Sequence, residues 1–221
     1  MTVEIIDHTT GTDRPPIDQM EKVVDHFVWQ VTHAWPGGVR VANDLRKQGF
    51  YIELVDELPE APGALGYHSV DENGRPFSKV AKQPSFDAGS DWLTGLYSVN
   101  AVVEHEYAET IGNPLVDLWV DRDRKSEVAR ELGDPVQDQT YRRHGADNSN
   151  FVLPAWFNPW APPPYDFLGS LSRPFELSSG GYCIVRTTGS ERDEWHATRE
   201  EGSGGARALS ALTRGRILLG R

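Results

Sequence analysis

The chain has 221 residues, 38% of them apolar, enough for one large domain with a sizeable core or one domain with a tail, and too few for a multi-domain machine. Its 33 Asp+Glu against 22 Lys+Arg leave a net charge of −11, a field that repels phosphate and argues against a nucleic-acid partner. No apolar run approaches the roughly 20 residues that span a bilayer, so no membrane partner is expected.

The first residues carry neither a basic segment nor an apolar one of signal-peptide type. The expected location is a cytoplasm, or a particle assembled there. The single Cys183 can form no internal disulfide and no thiolate cluster, so any metal site must use histidines and carboxylates.

From Pro16 to Trp35, apolar residues Ile17, Met20, Val23, Val24, Phe27, Val28 and Val31 recur at helical spacing, and Pro36-Gly37-Gly38 ends the run. A short polar segment follows, then Phe50–Val55 with strand composition. Ala64–Val70 and Pro76–Val80 flank Asp71–Gly74, whose Asn-Gly pair suits a hairpin turn; Pro76 suggests an edge strand. Ser98–Ile111 reads as a second helix, with Ser98 as N-cap, Gly112 at the C-terminal cap position and Pro114 beyond. After Asp117 the chain reads as a charged loop with a short helix over Ser126–Glu131, then an irregular aromatic and proline-rich stretch over Phe151–Phe167. Gly180–Arg186 reads as a last strand, and residues 199–221 as a flexible basic tail after a domain over 1–198.

The chemistry concentrates in His105-Glu106-Tyr107-Ala108-Glu109, an H-E-x-x-E string on the second helix. Residues four apart share a helix face, so His105 and Glu109 can grip one ion, with Glu106 beside a metal-bound water as general base. The same string, with Glu104, would also serve as an ordinary solvated helix face. A third ligand is sought downstream in Glu131-Leu132-Gly133-Asp134-Pro135, with Asp134 preferred and Glu131 second, a simple turn being the alternative. His68 on the hairpin stands either near the cleft or on a strand surface. His144 and Tyr165 could stabilise a developing oxyanion or be structural or solvent-facing. Trp156, Phe157 and Trp160 read as core or as a cover over the helix, with a substrate groove as the alternative.

The blocks Ala61–His68, VEHEYAETIGNP (Val103–Pro114), ELGDPVQ (Glu131–Gln137), FVLPAWFNP (Phe151–Pro159) and RPFELSSGGYCIVR (Arg173–Arg186) resemble, in order, a family of phage proteins that includes those of actinobacterial phages. That family is similar to a wider H-E-x-x-E group of metallopeptidase-like proteins. The wider group often has an acidic residue where Asn113 stands here, a departure that would weaken metal binding if that position holds the ion.

The resemblance implies an α+β, zincin-like single domain: a small mixed sheet, an H-E-x-x-E active-site helix and an irregular aromatic C-terminal half. It implies one zinc per chain on His105, Glu109 and Asp134, peptide-bond hydrolysis with Glu106 as base, and a peptide or protein substrate. The alternative is a non-catalytic virion or assembly component that keeps the fold and contacts other phage structural proteins. Location in a host cytoplasm or virion fits either.

Overall fold

The computed structural model describes residues 3–187 and 196–198. The apolar period beginning at Ile17 forms helix α1 (Ile17–Ala34), which buries Met20, Val23, Val24, Phe27, Val28 and Val31. The next segment, expected as a polar connection, is a second helix, α2 (Gly38–Lys47), with Ala42 and Leu45 on its buried stripe. Gly38 permits the tight corner between them, since a Cβ there would lie 2.7 Å from the Thr32 carbonyl oxygen.

The first sheet is mixed, as expected. Strands β1 (Glu4–Asp7), β2 (Tyr51–Val55) and β4 (Pro76–Ala81) are parallel, and β3 (Gly66–Val70) runs antiparallel to β4, in the order β1-β2-β4-β3. The expected edge position of Pro76 is corrected: β4 is interior and β3 is the edge. Pro76 is the first residue of β4, where a missing N–H does least harm to the ladder. The hairpin turn takes positive φ only at Gly74, with Asp71 Oδ1 accepting from the backbone N–H groups of Asn73 and Arg75.

A short helix, α3 (Lys82–Asp87), leads to α4 (Val99–Gly112), capped by Ser98 Oγ accepting from Ala101 N at 3.2 Å. Helix α4 packs against β3 and β4, against α1 and α2, and against β8 (Ala146–Ser149), so every residue in it except His105 is buried. Gly112 is the last helical residue rather than a cap; its missing Cβ makes room for Leu132, whose Cγ would otherwise lie 2.6 Å away.

The C-terminal half is more regular than expected. β5 (Trp119–Asp121) and β6 (Ser126–Ala129), the latter expected as a short helix, join β9 (Cys183–Thr187) and β10 (His196–Thr198) in an antiparallel sheet of order β10-β9-β6-β5. Four residues are too few for either period to declare itself, and pairing with β9 decides the outcome. β7 (Thr140–Arg143) pairs with β8 in a hairpin turned at His144 and Gly145. The irregular aromatic path covers Phe151–Phe167, with a 3-10 turn at Pro154–Phe157. Trp156 and Phe157 enter the core, whereas Trp160 is 90% exposed.

One apolar core joins Val3 and Ile5 to α1, α4, Phe151, Trp156 and Val185. No helix of the described residues is long and apolar enough to cross a membrane. The basic tail assigned to 199–221 lies outside the described residues.

Candidate metal centre

Three pieces of backbone converge on the polar side of α4. The helix contributes His105, Glu106 and Glu109, β3 contributes His68, and the turn after β6 contributes Glu131 and Asp134. Gly66 lets β3 approach this closely, because a Cβ there would lie 2.8 Å from Glu106 Oε1 and 2.9 Å from Val102 Cγ1. On the other side Gly133 does the same: its φ of −90° suits any residue, but a Cβ would collide with the His105 ring. Gly133→Ala is therefore expected to lower the unfolding midpoint, because the His105 ring must shift to admit the methyl group, as a calorimetric scan would measure.

His105 Nε2 lies 3.1 Å from Glu109 Oε1 and 3.4 Å from Asp134 Oδ1. His68 Nδ1 lies 3.2 Å from Glu109 Oε2 and 3.7 Å from Glu106 Oε2, and its Nε2 lies 3.6 Å from Glu131 Oε2. The side chain of His105 keeps 15% exposure while the other five keep 6% or less, so solvent meets the cluster at His105. Both His68 nitrogens, Glu106 Oε2, Glu109 Oε1, Glu131 Oε2 and both Asp134 oxygens make no hydrogen bond. Buried polar atoms are normally satisfied, so this concentration of orphans is what a cation would resolve.

Burial alone would lower the two imidazole pKa values, yet the carboxylates outweigh it and raise both well above the ordinary histidine range. Burial raises Glu106 and Asp134, and it pushes Glu131 up to about 8 against the pull of His68. Glu109 goes the other way: burial would raise it, but the two histidines hold it below the usual carboxylate range. Buried Tyr182 is raised by desolvation first and then by the charges of Asp134 and Glu109, and its backbone N–H donates to Asp134 O at 3.0 Å.

The structure brings together His105, Glu106, Glu109, Asp134, Glu131 and His68. The reading of Glu104, Glu106 and Glu109 as a solvated helix face is overturned, since all three are buried. Glu104 belongs to a separate contact, accepting from Ser149 N and Asn100 Nδ2 on the β8 side. His68 is not on a strand surface but inside the cluster. The oxyanion assignments of His144 and Tyr165 are not supported. His144 sits exposed at the tip of the β7–β8 hairpin, its ring edge-on to His26, and buried Tyr165 donates its hydroxyl to Ala161 O.

Asn113 is not among the ligand atoms. It donates to Glu131 Oε1 at 2.8 Å and accepts from the N–H groups of Asp117 and Leu118, so an amide suits a position where a carboxylate would repel Glu131. Sequence reasoning passed over Tyr182, whose only signal was its place at the start of a strand far along the chain. No family model, curated protein or solved structure matches the chain.

Proposed function

We propose that this chain is a zinc-dependent hydrolase of zincin-like design that cleaves peptide bonds. One observation carries the reading: His105 Nε2, Glu109 Oε1 and Asp134 Oδ1 converge from a helix and a turn, with the carboxylate oxygens otherwise unpartnered. One imidazole nitrogen and two carboxylate oxygens are ordinary zinc donors, and three protein ligands leave a fourth position open. When bound, zinc supplies an activated water and polarises a carbonyl.

The chain's own groups supply the rest. Glu106 follows His105 directly, and burial makes its carboxylate a stronger base than an exposed one, which suits it to take a proton and hand it to a leaving amine. His68, on the far side, orients Glu106 and Glu109. The exposed edge of His105 is the way in for substrate. The choice of peptides over other acyl compounds rests on the resemblance of VEHEYAETIGNP and ELGDPVQ to the phage family and, through it, to the wider H-E-x-x-E metallopeptidase-like group.

The test is metal content by elemental mass spectrometry on protein purified without chelator, together with hydrolysis of labelled casein. Zinc at the His105 site is expected in the wild type and absent in His105→Ala. Glu106→Gln is expected to keep that ion and lose at least about 100-fold in rate, since glutamine keeps the shape but accepts no proton. Equal rates for the two proteins would remove Glu106 from the mechanism.

A second reading, a virion or assembly component with a structural ion, is favoured by the near-complete burial of the cluster and by Trp160, 90% exposed for contacts. It predicts co-purification with particles and no effect of Glu106→Gln on their assembly.

A further inference from the structure

Glu109 points its two oxygens at two different histidines, Oε1 at His105 Nε2 (3.1 Å) and Oε2 at His68 Nδ1 (3.2 Å). Two donor sets therefore meet at one carboxylate: His105, Glu109 and Asp134 on one side, and His68, Glu106 and Glu109 on the other. Within each set the donor atoms lie within 4.8 Å of one another.

His68 is the independent pointer to the second set. It is 3% exposed, neither ring nitrogen makes a hydrogen bond, and it is aimed between three carboxylates. Glu106 Oε2, facing it, is also unpartnered. Behind the ring, Glu131 Oε2 lies 3.6 Å from Nε2, and Asn113 Nδ2 holds Glu131 Oε1 at 2.8 Å. Metal-binding histidines take this arrangement, one nitrogen on the ion and the other steadied by a carboxylate that is itself hydrogen-bonded.

Charge points the same way. Glu106, Glu109, Glu131 and Asp134 carry four negative charges when ionised, and one divalent ion offsets two of them. A second offsets the charge that one ion leaves uncompensated.

We propose that a second divalent cation binds between His68 Nδ1, Glu106 Oε2 and Glu109 Oε2, bridged to the first by the Glu109 carboxylate, and that by taking up Glu106 it restrains hydrolysis. The proposal rests on the zinc reading above for its neighbouring ion and for the role of Glu106. Bridged ions stand about 3.5–4 Å apart. The second enters beside an existing cation and binds at least about tenfold more weakly.

Metal-free full-length protein would be titrated with Zn(II) by calorimetry and native mass spectrometry, and with Mn(II) by electron paramagnetic resonance. The expected result is two ions per chain, with His68→Gln and Glu106→Gln each limited to one. The isolated Mn(II) signal of the wild type should collapse into a coupled one at the second equivalent, a readout that needs no variant to fold. Casein hydrolysis should fall across the second equivalent of zinc; a rate that holds or rises there overturns the restraint. Saturation at one ion that His105→Ala removes would overturn the second site and leave the zinc reading standing. No binding at all would overturn both. A second ion kept by both variants, with an uncoupled Mn(II) signal, would be a surface ion and would also overturn the proposal.

Discussion

Glu109→Gln is expected to abolish metal binding, with zinc affinity down by more than about 100-fold, because this carboxylate belongs to both donor sets. The substitution keeps volume and one acceptor oxygen but removes the charge that faces both His68 Nδ1 and His105 Nε2. Stability should also fall in the metal-free protein, since Glu109 is the one carboxylate of the cluster in which the pull of the histidines outweighs burial and holds the pKa below the usual range. Breaking a buried pair costs roughly 3–5 kcal/mol, and Asp134 and Glu131 still face the imidazoles at 3.4 Å and 3.6 Å, so the lower end applies. That corresponds to a midpoint lower by about 6–12 °C for a chain of this size.

Glu131→Gln supplies the contrast. Its acid form is the one the fold prefers, and glutamine keeps the oxygen that accepts from Asn113. Its metal-free midpoint should rise or hold at pH 8 where that of Glu109→Gln drops. Calorimetric scans in chelator check both signs, and a shift in the same direction for the two would refute this assignment of charges.

In chelator, the wild-type midpoint is expected to fall as pH rises from 5 to about 8, and saturating zinc should reverse the trend. The folded-state pKa values of Glu106, Glu131 and Asp134 lie above their unfolded values, as do those of His68 and His105. The folded chain therefore holds protons that the unfolded chain releases, and stability is lost as pH climbs. For Glu131 the loss runs from the ordinary glutamate value of 4.5 up to about 8, and the raised Glu106 and Asp134 act in the same direction. For the histidines it begins near 6.5 and continues through their raised values. Glu109, whose pKa is depressed, works in the opposite sense, but only below the ordinary carboxylate range and outside this window.

Zinc requires deprotonated ligands, so its stabilisation grows over the same interval. At a free concentration of about 1,000 times Kd it contributes about 4 kcal/mol, or about 8–16 °C in midpoint. A midpoint indifferent to both pH and zinc would mean the cluster is neither charged nor metal-binding as described.

Much of the centre was legible locally. His105, Glu106 and Glu109 share a helix that Ser98 caps as expected, and the spacing of four that puts His105 and Glu109 together is a property of helix geometry alone. The Gly-containing turn Glu131–Pro135 marks Asp134 as a carboxylate that can return to the helix, and it lies against His105. Helix α1 followed from apolar periodicity over five turns, a signal long enough to stand without tertiary help.

Other features carried no local signal. The strands β5, β6, β7 and β8 are three or four residues long, too short for alternation to distinguish them from loop, and their partners across the sheets define them. Helix α2 has few apolar residues and depends on Gly38 fitting against Thr32.

By itself, then, the sequence determined which helix carries the His-Glu pair and its neighbouring Glu106, that His105 and Glu109 share a face, and that a single cysteine can form no thiolate cluster, because these follow from spacing and composition. Only the tertiary structure decided that Glu104 turns toward β8, that Asn113 supports Glu131, and that His68 on edge strand β3 faces both oxygen-bearing neighbours on α4. The reason is that the side chain of a short strand points inward or outward according to what packs on it. Gly66 and Gly133 allow the backbone to come near enough for six titratable side chains from three separate segments to meet.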